Sequence, residues 1–292
     1  MKQLLILSGK GGTGKTTIAS AFIKLSAARA YADCDVDAPN LHLVMTQASA
    51  PERSDYFGLP VAQIDQETCI ACDQCRQHCR FNAISVADGQ YEVNRFACEG
   101  CGVCEYVCPV AAIEMKPAVA GDLMLYADKQ RVFSTAQLKM GSGTSGLLVS
   151  EVKKRMKSAA AKVPFAIIDG SPGIGCPVIA SLSGVDMVLV VAEPSVSGIS
   201  DMERIIQTAA MFGTDVAVCT NKCDTNLENT ARIEAFCSEK GIAHVGRIPF
   251  DSSAVTAINR GQTIVDIDCP SGRAVRAVYD ETMRHFAAGG HA

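Results

Sequence analysis

Two sets of residues in this chain have the types and spacing for chemistry. The first is Ser8-Gly9-Lys10-Gly11-Gly12-Thr13-Gly14-Lys15-Thr16-Thr17, in which Gly9, four residues, Gly14, Lys15 and Thr16 fit a phosphate-binding P-loop. Glycines there let backbone N–H groups turn toward phosphate oxygens, and the following helix aims its positive end at them. Lys15 is expected to neutralise charge between the β- and γ-phosphates. Gly11, Gly12, Thr13, Gly14, Thr16 and Thr17 complete the cradle, and the Thr16 hydroxyl is expected on Mg²⁺. The second set is eight cysteines in two runs. Cys69, Cys72, Cys75 and Cys79 are spaced C-x2-C-x2-C-x3-C, and Cys98, Cys101, Cys104 and Cys108 repeat that spacing. Each run is followed at the same offset by an apolar pair, Ala83-Ile84 and Ala112-Ile113, so the segment is an internal duplication.

These residues need elements to hold them. The apolar run Leu4-Leu5-Ile6-Leu7 reads as a buried strand and Ile18–Ile23 as the start of a helix, so the P-loop sits at a strand-to-helix turn. Arg29–Ala32 reads as a second strand running into Asp33-Cys34-Asp35-Val36-Asp37, with acids at a strand's carboxyl end, where open α/β sheets place ligand chemistry. Residues 41–64 carry little periodicity and read as a linker ending in an edge strand at Val61–Ile64. Leu123–Tyr126 and Arg131–Ser134 suggest a hairpin. The Gly/Ser-rich Met140–Gly146 follows, either a plain linker or a connector that responds to nucleotide, and then a helix through Leu148, Val152 and Met156. Phe165–Asp169 is a buried strand ending in an acid suited to Mg²⁺. Further strands are expected at Met187–Ala192, Val216–Cys219 and His244–Ile248.

Composition sets limits. The chain has 292 residues, 48% hydrophobic, enough for one large α/β domain and a small module. A net charge of -4 with no long basic run gives no nucleic-acid or anionic-membrane surface. No apolar run nears the ~20 residues of a membrane span, and no signal peptide precedes the first strand, so a cytoplasmic location is expected. In that compartment 14 cysteines are reduced thiols available for metal, not disulfides. Zinc also takes four cysteines, but its ribbons favour C-x2-C pairs across a longer loop.

The Lys10-Gly-Gly-Thr-Gly-Lys15-Thr form resembles the deviant P-loop of the MinD/Mrp-type ATPases, which include the nitrogenase iron protein and the arsenite-pump ATPase. The resemblance implies that Lys10 reaches across a dimer interface to stabilise phosphoryl transfer in trans. It also implies that Asp35 orients or deprotonates the attacking water, with Asp33 and Asn40 in support, and that Asp169 holds Mg²⁺ as Walker B. Gly170–Gly175 resembles switch II. Cys176 directly after it reads as a free buried cysteine, or as a ligand of a dimer-bridging cluster beside switch II. Asn221 in Asn221-Lys222-Cys223-Asp224 would bind the base with Pro249 and Asp251; that motif also suits guanine, and the doubled lysine favours ATP. The C-terminal residues 285–292 lack the basic amphipathic helix by which MinD grips membrane.

The cysteine spacing resembles the bacterial two-cluster ferredoxin over about residues 65–116. That resemblance implies two 4Fe-4S clusters, each taking three ligands from one run and the fourth from the other: Cys69, Cys72, Cys75 and Cys108, and Cys98, Cys101, Cys104 and Cys79. Pro109 follows Cys108 as in ferredoxins, whereas Arg80 follows Cys79. The fold expected is a doubly wound, mostly parallel P-loop NTPase sheet (1–64 and 117–292) with an inserted α+β ferredoxin-like domain (65–116). The function implied is an ATPase, with ATP and Mg²⁺, dimerising with itself or a related subunit and passing electrons to a redox partner. An Fe-S scaffold or carrier with an acceptor protein, and a positioning ATPase with redox-sensing clusters, are the other readings.

Overall fold

The computed structural model describes residues 1–47 and 49–288. The chain order is β1 (Lys2–Leu7), α1 (Lys15–Leu25), β2 (Ala30–Asp33), α2 (Leu41–Val44), β3 (Glu52–Phe57), β4 (Val61–Ile64), α3 (Gln74–His78), β5 (Ile84–Ala87), β6 (Gln90–Val93), α4 (Val103–Tyr106), β7 (Ile113–Lys116), β8 (Val119–Ala127) and β9 (Val132–Leu138). Then come α5 (Ser145–Ala159), β10 (Phe165–Asp169), α6 (Cys176–Leu182), β11 (Met187–Ala192), α7 (Val196–Met211), β12 (Asp215–Asn221), α8 (Leu227–Lys240), β13 (Ala243–Ile248), α9 (Ser253–Asn259) and α10 (Pro270–Ala288).

Nine strands form one sheet in the order β13-β12-β11-β1-β10-β2-β9-β8-β3. From β13 to β9 every neighbouring pair is parallel, and β8 and β3 add an antiparallel edge. Parallel strands are covered on both faces, which is why β1 and β11 are apolar at every central position. Alternation then splits the core. Leu5 and Leu7 face a layer built with Leu148, Val152 and Met156 of α5, Val178 of α6 and Ile205 of α7. Leu4 and Ile6 face the opposite layer, with Phe22 of α1 and Val275 and Val278 of α10.

The hairpin β8–β9 is present. Two features differ from the sequence expectation. Glu52–Phe57, expected as linker, is the edge strand β3, paired antiparallel with β8. Its sequence is polar because only Tyr56 is buried, so it carries no apolar signal. Val61–Ile64 is a strand, but it pairs with β7 in a separate two-stranded sheet and not with the large one. Between β4 and β7 lies a second small sheet, β5–β6, and a third core of Ala62, Ile64, Cys75, Ile84, Tyr91 and Ile113 against which Cys69, Cys79, Cys98, Cys104 and Cys108 pack. Among the described residues no helix is long and apolar enough to cross a membrane. The expectation for the C-terminal segment falls partly on residues 289–292, which lie outside the described residues.

Candidate functional site

The carboxyl ends of β1, β2 and β10 meet at one cavity of about 440 Å³. Its wall includes Lys10 through Thr17, Asp35 and Asn40. Gly14 stands immediately before α1 with φ of 92°, and a Cβ there would lie 2.3 Å from Asn221 Nδ2, so glycine is required both by backbone conformation and by space.

Lys15 is buried, and its ammonium donates to Asp169 Oδ1 at 2.5 Å while the Thr16 hydroxyl donates to Asp169 Oδ2 at 2.7 Å. Burial disfavours the Lys15 charge, but Asp169, with Asp33 and Asp35 behind it, outweighs this and raises its pKa. Asp169 thus ties the end of the glycine-rich loop to the carboxyl end of β10. Asp33 is fully buried; its Oδ1 accepts the Asp35 N–H and its Oδ2 those of Asn40 and Leu41, each at 3.0 Å. It holds the loop that carries Asp35. Asp35 itself is partly exposed to the cavity, and burial raises its pKa.

Burial, with the charge of Asp169 beside it, pushes the Asp33 pKa from 3.8 to about 7. A carboxyl raised on folding binds more protons in the native state, so its contribution to stability is full below about pH 4 and is lost as pH rises through about 7. Without nucleotide or Mg²⁺, the melting temperature is expected to fall between pH 5.5 and pH 8 more steeply in the natural chain than in Asp33→Asn. Equal slopes in the two proteins, read by circular dichroism, would remove this assignment.

Lys10 does not point at its own loop. Its ammonium donates to Ser195 Oγ at 3.1 Å and Ser197 Oγ at 3.2 Å, at the amino end of α7, and pairs with Glu193 at 3.5 Å. Glu193 also receives Lys222, which donates in addition to the Gly12 carbonyl. Asn221 gives its side-chain amide to the Thr13 carbonyl at 2.6 Å. Asp251 accepts from Ser253 N and from Ser271, tying α9 to α10. The structure thus brings Lys10–Thr17, Asp35 and Asp169 together, while Asn221, Pro249 and Asp251 lie outside the cavity lining. The cavity's apolar wall is instead Leu43, Val44, Pro172 and Ile258. Leu43, Val44 and Ile258 sit on helices of one or two turns, too short to give a periodic signal. Cys176 is exposed, not buried, because it opens α6 at the surface.

The cysteines gather in two further cavities. Cys69, Cys72, Cys75 and Cys108 line one, and Cys79, Cys98, Cys101 and Cys104 line the other. Cys79 Sγ accepts the Ala83 N–H at 3.4 Å and Cys108 Sγ the Ala112 N–H at 3.2 Å, matching contacts in the two repeats. Left-handed backbone recurs at matching positions too: Ala71 with Gly100, Asp73 with Gly102, and Asn82 with Ala111. Non-glycine residues hold that conformation only where surroundings dictate it. Among the described residues no group of three or more His, Cys, Asp or Glu is gathered tightly enough for a single metal ion. Four thiols line each of the two cavities, a donor set that could hold a 4Fe-4S cluster.

The CobQ/CobB/MinD/ParA nucleotide binding domain family matches residues 4–264. The chain belongs to that family. Its MinD/ParA-type members are P-loop ATPases, which bind ATP with Mg²⁺ and typically act as dimers. Over its whole length the chain is similar to an uncharacterised protein of Methanocaldococcus jannaschii, 30% identical over 288 residues and covering 97% of each. The MinD of Pyrococcus horikoshii, solved with Mg-ADP, shares the fold: TM-score 0.59 at 16% identity, covering 100% of this chain and 99% of that one. A second similarity is partial. An uncharacterised ferredoxin of Methanocaldococcus jannaschii is 34% identical over 85 residues, 28% of this chain and 56% of that protein.

Proposed function

We propose that this MinD/ParA-family chain is an ATP-hydrolysing iron-sulfur protein, a nucleotide-gated dimer that couples ATP turnover to electron transfer through two 4Fe-4S clusters. One observation carries the reading: a P-loop cavity and two four-cysteine cavities stand in the same chain. The partial likeness to a ferredoxin supports it.

The residues divide the work. ATP entering the loop draws the Lys15 ammonium from Asp169 to the β- and γ-phosphates, which leaves Asp169 and the Thr16 hydroxyl facing each other as the Mg²⁺ pair. Asp35, on the cavity wall, orients the water and accepts its proton as the bond from the γ-phosphorus to the ADP oxygen breaks. Lys10, released from Ser195, Ser197 and Glu193, stabilises that charge in a partner subunit. Cys69, Cys72, Cys75 and Cys108 would hold one cluster, and Cys98, Cys101, Cys104 and Cys79 the other. Bound there, the clusters supply one-electron transfer. Residues 61–116, from β4 to β7, are then the inserted ferredoxin-like unit.

Anaerobic purification followed by iron and sulfide analysis tests the reading. About eight irons per chain are expected, with an electron paramagnetic resonance spectrum of the reduced protein that changes on adding Mg-ATP. Zinc in place of iron would overturn the cluster assignment. Eight irons with spectra indifferent to Mg-ATP would overturn the coupling. Transfer of an intact cluster to an acceptor apoprotein would move the function to an Fe-S carrier, a role that the exposed Cys72 and Cys101 also suit.

A further inference from the structure

The two cysteine sets stand differently toward the nucleotide. A cleft of about 260 Å³ separates Phe96, Cys98 and Glu99 of the second repeat from the Lys139–Thr144 segment that leads into α5. The two sides are close. A Cβ on Gly141 would lie 3.2 Å from the Phe96 ring, and one on Gly143 3.8 Å from Glu99 Oε2. Among the described residues, Cys69, Cys72 and Cys75 contribute nothing to that cleft.

From this segment α5 runs against α6, the helix that directly follows the switch II loop Gly170–Gly175. At its start, a Cβ on Gly146 would meet both the Cβ and the carbonyl oxygen of Cys176 at 3.2 Å. Two turns on, Lys153 is 5% exposed and donates to the carbonyls of Ala180 at 3.0 Å, Ser181 at 2.5 Å and Ser183 at 2.7 Å. These are carbonyls at the carboxyl end of α6, which otherwise lack partners. Burial draws the Lys153 pKa down to about 8, yet three carbonyls still favour the ammonium. Contact at the first residue of α6 and an ammonium across its last turn couple α5 to α6 at both ends. If the γ-phosphate of a bound nucleotide displaces the Gly170–Gly175 loop that feeds α6, the shift is carried through α5 to residues 139–146 and against the second repeat.

We infer that α5 and α6 form a transmission strut, with Gly146 and Lys153 as its positioning residues, which makes the Cys98, Cys101, Cys104 and Cys79 site responsive to nucleotide while the Cys69, Cys72, Cys75 and Cys108 site keeps a constant environment. The inference rests on the proposed nucleotide site and deepens it by assigning the two cluster sites unequal roles.

Hydrogen exchange of the full chain, purified anaerobically, with and without Mg-ATPγS, tests it. Slower exchange is expected over residues 9–17, with a change of about twofold or more over 140–146 and 96–101 and none over 69–75. Gly146→Ala, which crowds Cys176, is expected to keep protection at 9–17 and lose the response at 96–101; Lys153→Met is expected to do the same. Protection at 9–17 with 96–101 unchanged, or with 69–75 changed as much, overturns the strut and leaves nucleotide binding standing. A wild-type response surviving in both variants also overturns it. No protection at 9–17 overturns the proposed nucleotide site, and the strut with it.

Discussion

Replacing Lys10 with alanine is expected to slow ATP hydrolysis by about a thousandfold or more, the range of a lost transition-state cation supplied in trans, with Mg-ATP affinity changed by no more than about threefold. Within one chain Lys10 rests on Ser195, Ser197 and Glu193, at the rim of the cavity, so it adds little to ground-state binding. An interaction made only in the transition state lowers kcat and kcat/KM together. Subunit mixing separates trans from cis action. In a two-fold dimer of Lys10→Ala with Asp35→Asn, the first protomer keeps its own Asp35 and receives the partner's Lys10, so a one-to-one mixture should recover about a quarter of the wild-type rate. Neither protein alone should do so. Full hydrolysis by Lys10→Ala would place this lysine outside the chemistry, and a mixture no faster than its parts would exclude its action in trans.

The second large effect concerns Cys75. It is 8% exposed, lies in the small third core and lines the first cysteine cavity. Cys75→Ala is expected to lower bound iron from about eight to about four per chain. The surrounding unit has two two-stranded sheets and two helices of four and five residues. Isolated hairpins and a core that small do not hold their shape without a staple. Proteolytic cleavage within residues 61–116 should therefore accelerate by about tenfold or more, while the nine-stranded sheet and its Mg-ATP binding persist. Cys223→Ala is the control, because that thiol sits beside β12, far from both sets in the chain, and its loss should leave the iron content intact. An eight-iron Cys75→Ala protein would exclude Cys75 as a ligand.

Legibility in the sequence followed how local each signal was. The strand, glycine loop and helix around Lys15 are contiguous, and β1, β10 and β11 are apolar on both faces, so the parallel sheet could be read from them. The two cysteine runs are repeats in the strict sense, which makes their spacing informative without any fold. β3 was illegible because an edge strand with one buried residue looks like linker. The apolar cavity wall depends on which turns of α2 and α9 reach the site, a tertiary matter. The Asn221 amide meets the Thr13 carbonyl across 208 residues of sequence, so no motif could forecast that partner. Lys153 was hidden for the same reason: in a basic stretch, nothing marks the one lysine that turns inward onto the carbonyls of another helix.

The pairing of Val61 with Lys116 closes the small unit at its own two ends. Phe57 of β3 faces Val119 of β8, and Gly58 N–H bonds to the Ala118 carbonyl, so the path leaves the large sheet and rejoins it between adjacent strands. Opposed residues on antiparallel neighbours stand only about 5 Å apart, a gap that a tight turn spans. A simple hairpin joining β3 directly to β8 would therefore close the large sheet without residues 59–117 and without re-registering any of the nine strands.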